Sequence, residues 1–303
     1  MDTSSSCVYY NGTFTSEATR ALKVMSPLGV LICLGGLVGN GLVLGLLVFS
    51  VKWGGFTVFI FHLSLADFLY LSGQTVWFMQ IILDTFHGIW FDVEHIYILT
   101  DTSYTAGLCL LAAISVGRCL SVLCPIWCRL RAPRHAPAAL CSLAWVLSLS
   151  VNVHLFLVCW GKMPRNHEFC CVYEEIIFGF FCVLLSVMVL CVVIVPFKVM
   201  CSTQLRPPLK FYVSALLTAL FLLCAFPYGI HLYYTHYSGT FHLPHLLLLS
   251  CVNSSANPLV YYFVGRIGGR RQGGNFRQIF QKTLGEETGV RRDTSSGAVS
   301  SSA

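Results

Sequence analysis

Seven long apolar runs, separated by short polar segments, constrain the fold of this 303-residue chain more than any other feature. Each run reaches the roughly 20 residues that a helix needs to cross a bilayer. Backbone groups inside lipid must be hydrogen-bonded within their own segment, which makes each run a helix. The runs span Pro27–Ser50, Phe56–Leu83, Val93–Leu123, Ala136–Cys159, Val172–Lys198, Leu209–Tyr233 and His242–Val264. They predict an all-α membrane protein with a seven-transmembrane helix bundle.

The charge content argues against the soluble classes of protein. Only 11% of the residues are Asp, Glu, Lys or Arg, whereas soluble proteins carry roughly 25%. So few charges do not cover the surface of a soluble chain, which speaks against a soluble enzyme and against nucleic-acid binding. An intramembrane enzyme is disfavoured because no HExxH pair or nucleophile–base pair occurs. A small membrane transporter remains an alternative, although the halves show no internal repeat of the kind transporters carry.

Lys and Arg at the ends of the runs predict the orientation, because cytosolic loops are enriched in them. We expect a multi-pass plasma-membrane protein with an extracellular N-terminus, and Asn11 of Asn11-Gly12-Thr13 as a glycosylation site. Four parts follow: an outer tail (1–26), the bundle (27–266), a short amphipathic interfacial eighth helix (267–284) and a disordered cytosolic tail (285–303). The cytosolic charges are Lys52, Arg129, Arg131, Arg134, Lys198, Arg206, Lys210, Arg266, Arg270, Arg271, Arg277 and Lys282.

Polar residues inside the apolar runs are candidate functional residues, because a polar group in lipid is costly. Asn253 and Asn257 are four residues apart and share one helix face. With Asp67, and with Asn40 nearby, they predict one polar pocket in the middle of the membrane. Carboxylate and amide oxygens suit a hard cation, so a structural sodium ion is one interpretation. A water-filled hydrogen-bond cluster is the other, and no further cofactor is indicated.

The order of these residues resembles that of the rhodopsin-like (class A) G-protein-coupled receptors, over about Leu28 to Leu284. The similarity depends on Asn40, Leu63–Asp67, Arg118, Trp145, Pro227 and Asn257–Tyr261 together. Three shorter strings resemble the Mas-related receptors within that class. They are Gly-Arg-Cys-Leu-Ser-Val-Leu-Cys-Pro-Ile-Trp at 117–127, Pro133-Arg134-His135 and Asn253-Ser254-Ser255-Ala256-Asn257-Pro258.

The resemblance implies a receptor that converts extracellular ligand binding into activation of a heterotrimeric G protein. It assigns G-protein coupling to Arg118, Pro125, Ile126 and Tyr261. Prolines free backbone carbonyls and make hinges, and the implied switch comprises Ala225, Pro227, Asn257, Pro258 and Tyr261. The Ser- and Thr-containing tail (288–302) suggests receptor kinases and arrestin as further partners. Membrane lipid surrounds the bundle.

The chain departs from the usual class A pattern in two ways. No cysteine occurs near Val93, where most class A members have the first cysteine of a disulfide. Mas-related receptors instead bridge the fourth and fifth helices. The resemblance therefore implies a disulfide between Cys159 and either Cys171 or Cys170, of which Cys171 is preferred. Gly117 precedes Arg118, where members usually carry an acid. Raised ligand-free activity is the hypothesis that follows. One alternative is that tyrosines or backbone groups hold Arg118 instead of an acid. The other is a non-signalling or partner-dependent receptor.

Acidic and aromatic residues near the outer ends of the runs are candidate ligand contacts. Desolvated carboxylates attract cations strongly, and some Mas-related receptors bind basic peptides or amines through acids on helices four and five. A basic peptide or amine is therefore the expected ligand, and a solvated acidic rim without binding function is the alternative. The candidates are Asp101, Tyr104, Glu174, Glu175, Tyr228 and Tyr233.

Overall fold

A computed structural model describes residues 16–50, 55–91, 93–124, 126, 135–160, 167–201 and 244–268. Every regular element in these ranges is a helix. The sixth apolar run, the predicted eighth helix beyond Gly268 and both chain ends lie outside the described residues. The helices are α1 (Ser16–Ser50), α2 (Gly55–His87), α3 (Glu94–Leu123), α4 (Ala136–Leu155), a π-helical turn (Phe156–Trp160), α5 (His167–Cys201) and α6 (Pro244–Gly268), which carries the seventh apolar run.

Two helix boundaries differ from the sequence prediction. α1 begins at Ser16, inside the segment predicted as an outer tail, because Leu22 and Ser26 are buried against the bundle. The hydroxyl of Ser26 donates to the carbonyl of Leu22 at 2.6 Å, so this polar side chain is satisfied within the helix. α6 continues to Gly268, past the predicted end of the bundle at 266. Helix ends vary by about one or two residues, so the earlier start of α1 is the substantial difference.

The helices pack around α2 and α3. α2 contacts α1, α3, α4 and α6, and α3 contacts α4 and α5. Aromatic, aliphatic and thiol side chains from five helices fill the largest buried cluster. Its members are Cys33, Tyr70, Leu71, Phe78, Tyr104, Leu108, Phe181, Leu247 and Cys251. Many large apolar side chains point outward, as expected of helices surrounded by lipid tails rather than water.

Four described helices contain a segment that is long and apolar enough to cross a membrane. These segments are Arg20–Phe49, His95–Leu123, Ala136–Val158 and Glu175–Val195. α2 and α6 are not among them, although the sequence predicted a crossing for every run. These two helices carry most of the buried polar residues of the site described below. Their polar content is therefore a property of the interior of the bundle rather than of its lipid-facing surface.

Glycine allows α1 to approach α2 and α6 closely. A Cβ atom at Gly36 would lie 2.6 Å from Leu71 Cδ1 on α2 and would also overlap the side chain of Ser255 on α6. A Cβ atom at the adjacent Gly35 would meet no described atom within 4 Å. Small residues at helix contacts in membranes serve this purpose. Gly36, but not Gly35, is therefore required by the packing.

We expect Gly36→Val to lower the amount of protein at the cell surface several-fold, because overpacking costs about 1–3 kcal/mol. Gly35→Val is the matched control, since it adds the same side chain one position away on the open side. Surface labelling of both variants, normalised to total protein, measures the effect. Equal surface levels of the two variants would contradict the close contact at Gly36.

Candidate functional site

The centre of the site is a contact between a carboxylate on α2 and an amide on α6. Asn257 Nδ2 donates a hydrogen bond to Asp67 Oδ2 at 2.6 Å. Both side chains are buried, Asp67 being 5% exposed. The hydroxyl of Ser254, one turn earlier on α6, also hydrogen-bonds to Asp67. A buried carboxylate needs such donors, because its desolvation is otherwise costly. We call the Asp67–Asn257 hydrogen bond the inner link.

A proline next to the inner link exposes a backbone carbonyl, which α1 satisfies. Pro258 lies inside α6 and has no backbone N–H, so the carbonyl of Ser254, four residues earlier, lacks its helical partner. Asn40 Nδ2 donates to that carbonyl oxygen at 3.0 Å. It also donates to the carbonyl of Gly36 at 3.0 Å. The asparagine of α1 thus replaces the hydrogen bond that Pro258 removes from α6.

Two buried amide oxygens have no hydrogen-bond partner within the part of the chain that the structure describes. Asn40 Oδ1 and Asn253 Oδ1 are buried and accept no hydrogen bond among the described residues. Buried polar atoms in native proteins normally have a partner, which is often an ordered water or an ion. Amide oxygens of this kind, together with a carboxylate such as that of Asp67, are the ligands that hard cations take. The residues present therefore fit the sodium ion considered from the sequence.

The switch residues divide between described and undescribed parts of the chain. Asn257 and Pro258 are buried in α6 beside α1 and α2, and the Pro258 ring would lie 3.2 Å from a Cβ atom at Gly39. Pro258 therefore sits where α6 is held by both neighbours. Tyr261 lies on α6, but its side chain is outside the described residues, as are Ala225 and Pro227.

Two of the predicted coupling residues, Arg118 and Ile126, lie at one end of α3. Arg118 is half-buried near the end of that helix, and it interacts with neighbouring groups. Gly117 is exposed, and a Cβ atom there would meet no described atom within 4 Å. Ile126 is 73% exposed, which leaves it available for contact with a partner. Pro125, which is predicted to contact the G protein together with Ile126, lies outside the described residues.

The predicted ligand residues do not share one environment. Glu175 is exposed at the start of α5, and Asp101 is half-buried on α3. Tyr104 is buried in the main cluster, where its ring packs against those of Tyr70 and Phe181 at centroid distances of 5.4 and 6.3 Å. Core packing accounts for this ring, and its contact with a ligand stays a prediction. The side chain of Glu174 and the residues Tyr228 and Tyr233 lie outside the described residues.

α4 and α5 are in contact near the residues of the predicted disulfide. Cys170 is disulfide-bonded, and its bonding partner is not among the described side chains. The side chains of Cys159 and Cys171 are outside the described residues, so pairing with Cys159 stays a prediction. Cys159 lies in the π-helical turn that ends α4. Beside it, the Tyr173 hydroxyl donates to the Val151 carbonyl at 3.3 Å. The glycosylation acceptor Asn11 also lies outside the described residues.

Sequence reasoning missed two buried polar contacts between helices. The hydroxyls of Tyr70 on α2 and Ser250 on α6 are 2.6 Å apart. On α4, Asn152 Nδ2 donates to Thr105 Oγ1 of α3 at 3.3 Å. Asn152 was detectable, since an asparagine in an apolar run is costly unless it has a partner. Tyr70 carried no such signal, because an aromatic residue in an apolar run is typical of a core.

Comparison with known proteins gives close matches over nearly the whole chain. The Mas-related G-protein coupled receptor member B4 of Rattus norvegicus is 35% identical over 300 residues, which cover 95% of this chain and 90% of the relative. The human member X1 is 34% identical over 293 residues, or 92% and 89%. The member A1 of Mus musculus is 32% identical over 275 residues, or 87% and 90%. No family model matches the chain.

The helical membrane bundle with its buried polar centre, together with these relatives, defines a G-protein coupled receptor with a seven-helix fold. Such a protein is a multi-pass protein of the cell membrane and is a receptor rather than an enzyme. Within this class, the chain belongs to the Mas-related G-protein coupled receptor family. The fold class and the receptor function expected from the sequence are thereby confirmed.

Proposed function

We propose that this receptor, oriented with its N-terminus outside, converts binding of a cationic ligand at its outer mouth into activation of a heterotrimeric G protein. The observation that carries the proposal is the set of hydrogen bonds around Pro258. There Asn257 meets Asp67 at 2.6 Å and Asn40 holds the Ser254 carbonyl at 3.0 Å. These bonds tie a proline-containing helix to two neighbours, and a proline hinge held in this way has discrete alternative arrangements.

Signal transfer then works by a shift in populations. A ligand that contacts α3 and α5 at the outer side favours one arrangement of the helices over another. α6, which carries the seventh apolar run, bends at Pro258 and exchanges its hydrogen-bond partners. The helix predicted for the sixth apolar run moves on Pro227. A cavity opens beside Arg118, where the G protein binds against Arg118 and the exposed Ile126. Pro125 and Tyr261 complete this surface in the proposal.

Sodium is the second part of the proposal. Asp67, Asn253 and Asn257 would hold the ion through their side-chain oxygens, and Asn40 would lie beside it. The oxygens of Asn40 and Asn253, which have no partner among the described residues, support this assignment. A cation held there would supply positive charge next to the buried carboxylate. Water molecules in the same positions are the competing interpretation, and the response to Na⁺ distinguishes the two.

A basic peptide or an amine is the proposed ligand class. Asp84 at the end of α2 and Glu175 at the start of α5 are exposed, and Asp101 is half-buried on α3. Carboxylates at the outer ends of several helices concentrate cations near the mouth and steer them towards it. Phosphorylation of the cytosolic tail by receptor kinases, followed by arrestin binding, is the proposed route of desensitisation.

Raised basal activity is tested at the residue before Arg118. Gly117→Glu introduces a carboxylate beside Arg118, where a side chain meets open space in the described structure. We expect ligand-free signalling to fall about twofold to fivefold, as an ion pair at a partly exposed site is worth up to about 1 kcal/mol. A panel of G-protein sensors in transfected cells, normalised to surface receptor, measures the change.

Gly117→Gln is the matched control, because glutamine has the same size as glutamate but no charge. It should leave ligand-free signalling close to that of the wild type. An equal fall in both variants would mean that the side chain itself, rather than its charge, disturbs coupling. Absence of G-protein activation by the wild type would favour the non-signalling or partner-dependent receptor.

A further inference from the structure

Tyr70 occupies a position that neither the G-protein site nor the inner link uses. It lies on α2 one turn to the outer side of Asp67 and is 1% exposed. Its hydroxyl is 2.6 Å from Ser250 Oγ on α6. Ser250 in turn donates to the Leu247 carbonyl at 2.7 Å. Since serine has a single O–H, Tyr70 must be the donor and Ser250 the acceptor. We call the Tyr70–Ser250 hydrogen bond the outer link.

The ring of Tyr70 connects the outer link to the helices that face the proposed ligand. Its centroid is 5.4 Å from that of Tyr104 on α3. Tyr104 is in turn 6.3 Å from Phe181 on α5, with the planes at 67°. Aromatic pairs at such distances and angles attract each other. A displacement of α3 or α5 at the outer side therefore reaches Tyr70 through packed rings rather than through solvent.

The other side of the outer link contacts α1. Cys33 and Cys251 are fully buried, and the Cys251 thiol contacts Cys33, Tyr70 and Ser250. The outer link thus lies at a junction of α1, α2 and α6, with α3 behind it. Further inward, the inner link joins the same two helices, α2 and α6, beside Pro258. Two hydrogen bonds on the same pair of helices hold the segment of α6 that leads into its proline.

We propose that Tyr70 is a positioning residue for signal transfer, whose outer link holds α6 in its resting arrangement until movement of Tyr104 releases it. Resting and active arrangements then differ by one hydrogen bond at Ser250, and loss of that bond makes bending at Pro258 easier. The inference rests on the proposed signalling function. The inference adds to that function a path from the packed rings of Tyr104 and Phe181, below the proposed ligand, to the inner link.

Tyr70→Phe is the first test, because it removes only the hydroxyl and keeps the ring contacts. We expect ligand-free G-protein signalling per surface receptor to rise about twofold to tenfold, the factor that corresponds to one net hydrogen bond. Tyr97→Phe, on the exposed side of α3, is the matched control and should change nothing. Unchanged signalling in Tyr70→Phe would overturn the proposal.

A labelling experiment on the purified full-length receptor tests the same contact without a G protein. Maleimide modification of Cys251, quantified by mass spectrometry, reports how often the junction of α1, α2 and α6 opens. We expect Tyr70→Phe to accelerate labelling about twofold to tenfold. Faster labelling with unchanged signalling would reduce Tyr70 to a structural role and overturn the proposal. If neither the wild type nor any variant gives a ligand-free signal, the raised basal activity in the proposed function fails, and labelling alone decides whether Tyr70 holds α6.

A second variant, Ser250→Ala, distinguishes the donor of the outer link from its acceptor. Ser250→Ala removes the oxygen that the phenolic O–H meets at 2.6 Å and leaves it the weaker sulfur acceptor of Cys251, whereas Tyr70→Phe leaves no donor stranded. Ser250→Ala should therefore lower the unfolding temperature of the receptor more than Tyr70→Phe does. Adding Tyr70→Phe to Ser250→Ala should restore part of that loss, since the stranded donor disappears. Additive losses in the double variant would show that the two hydroxyls are not partners.

Discussion

Asn40→Leu should lower the amount of folded receptor at the cell surface several-fold and reduce its unfolding temperature. Leucine has the same number of side-chain heavy atoms but cannot donate to the Ser254 carbonyl, which Asn40 Nδ2 meets at 3.0 Å. That carbonyl has no helical partner, because Pro258 lacks an N–H. A buried carbonyl without a partner costs about 1–3 kcal/mol, a large part of the stability of a typical domain.

A second substitution in the same chain makes this explanation specific. Pro258→Ala restores a backbone N–H four residues after Ser254, so that the helix itself can satisfy the carbonyl. Asn40→Leu combined with Pro258→Ala should therefore recover most of the unfolding temperature lost in Asn40→Leu alone. Surface labelling in cells and thermal unfolding of purified receptor measure the recovery. A double variant as unstable as Asn40→Leu would show that Asn40 acts in some other way.

Replacing Asp67 should separate the structural role of the inner link from its role in ion binding. Asp67→Asn keeps an oxygen that accepts from Asn257 Nδ2, and this variant should reach the surface. Asp67→Leu removes the acceptor, leaves the buried amide donor of Asn257 without its 2.6 Å partner, and should lower surface receptor several-fold. Only the aspartate supplies the charge that a sodium ion requires, because a cation is held by carboxylate as well as amide oxygens.

The ion itself is tested by thermal unfolding of purified receptor in NaCl and in choline chloride. A ligand that binds only the folded state raises the unfolding temperature with its concentration. We expect Na⁺ to stabilise the wild type and to have no such effect on Asp67→Asn. Asp84→Asn, an exposed position near the end of the same helix, is the matched control and should keep the response. A sodium response that persists in Asp67→Asn would favour the water-filled pocket.

The buried polar centre was predictable from the sequence because its residues are costly in lipid. Asp67 and Asn257 stand out in apolar runs, and the structure brings their side chains together. The partner of Asn40 was not predictable. It is a backbone carbonyl of α6, and its exposure depends on how α1 and α6 approach each other, which in turn depends on the missing side chain of Gly36.

Other features required coordinates because the sequence offered equivalent choices. Cys170 and Cys171 are adjacent, so the sequence offers two equivalent partners for Cys159, and this pairing stays a prediction. Tyr70 resembles any aromatic core residue until Ser250 is found opposite its hydroxyl. The start of α1 at Ser16 was missed because a helix outside the lipid shows no long apolar run. In each case, the deciding information lies in contacts between segments far apart in the chain.

Ligand-free activation of G proteins by the wild type and by Arg118→Ala tests the central claim most directly. Cells that express equal surface amounts of each receptor would be read with sensors for every class of α-subunit. We expect a wild-type signal through at least one class and loss of that signal in Arg118→Ala, because Arg118 lies where the G protein is proposed to bind. No wild-type signal with any sensor would contradict the raised basal activity, and an equal signal from Arg118→Ala would contradict G-protein binding at Arg118.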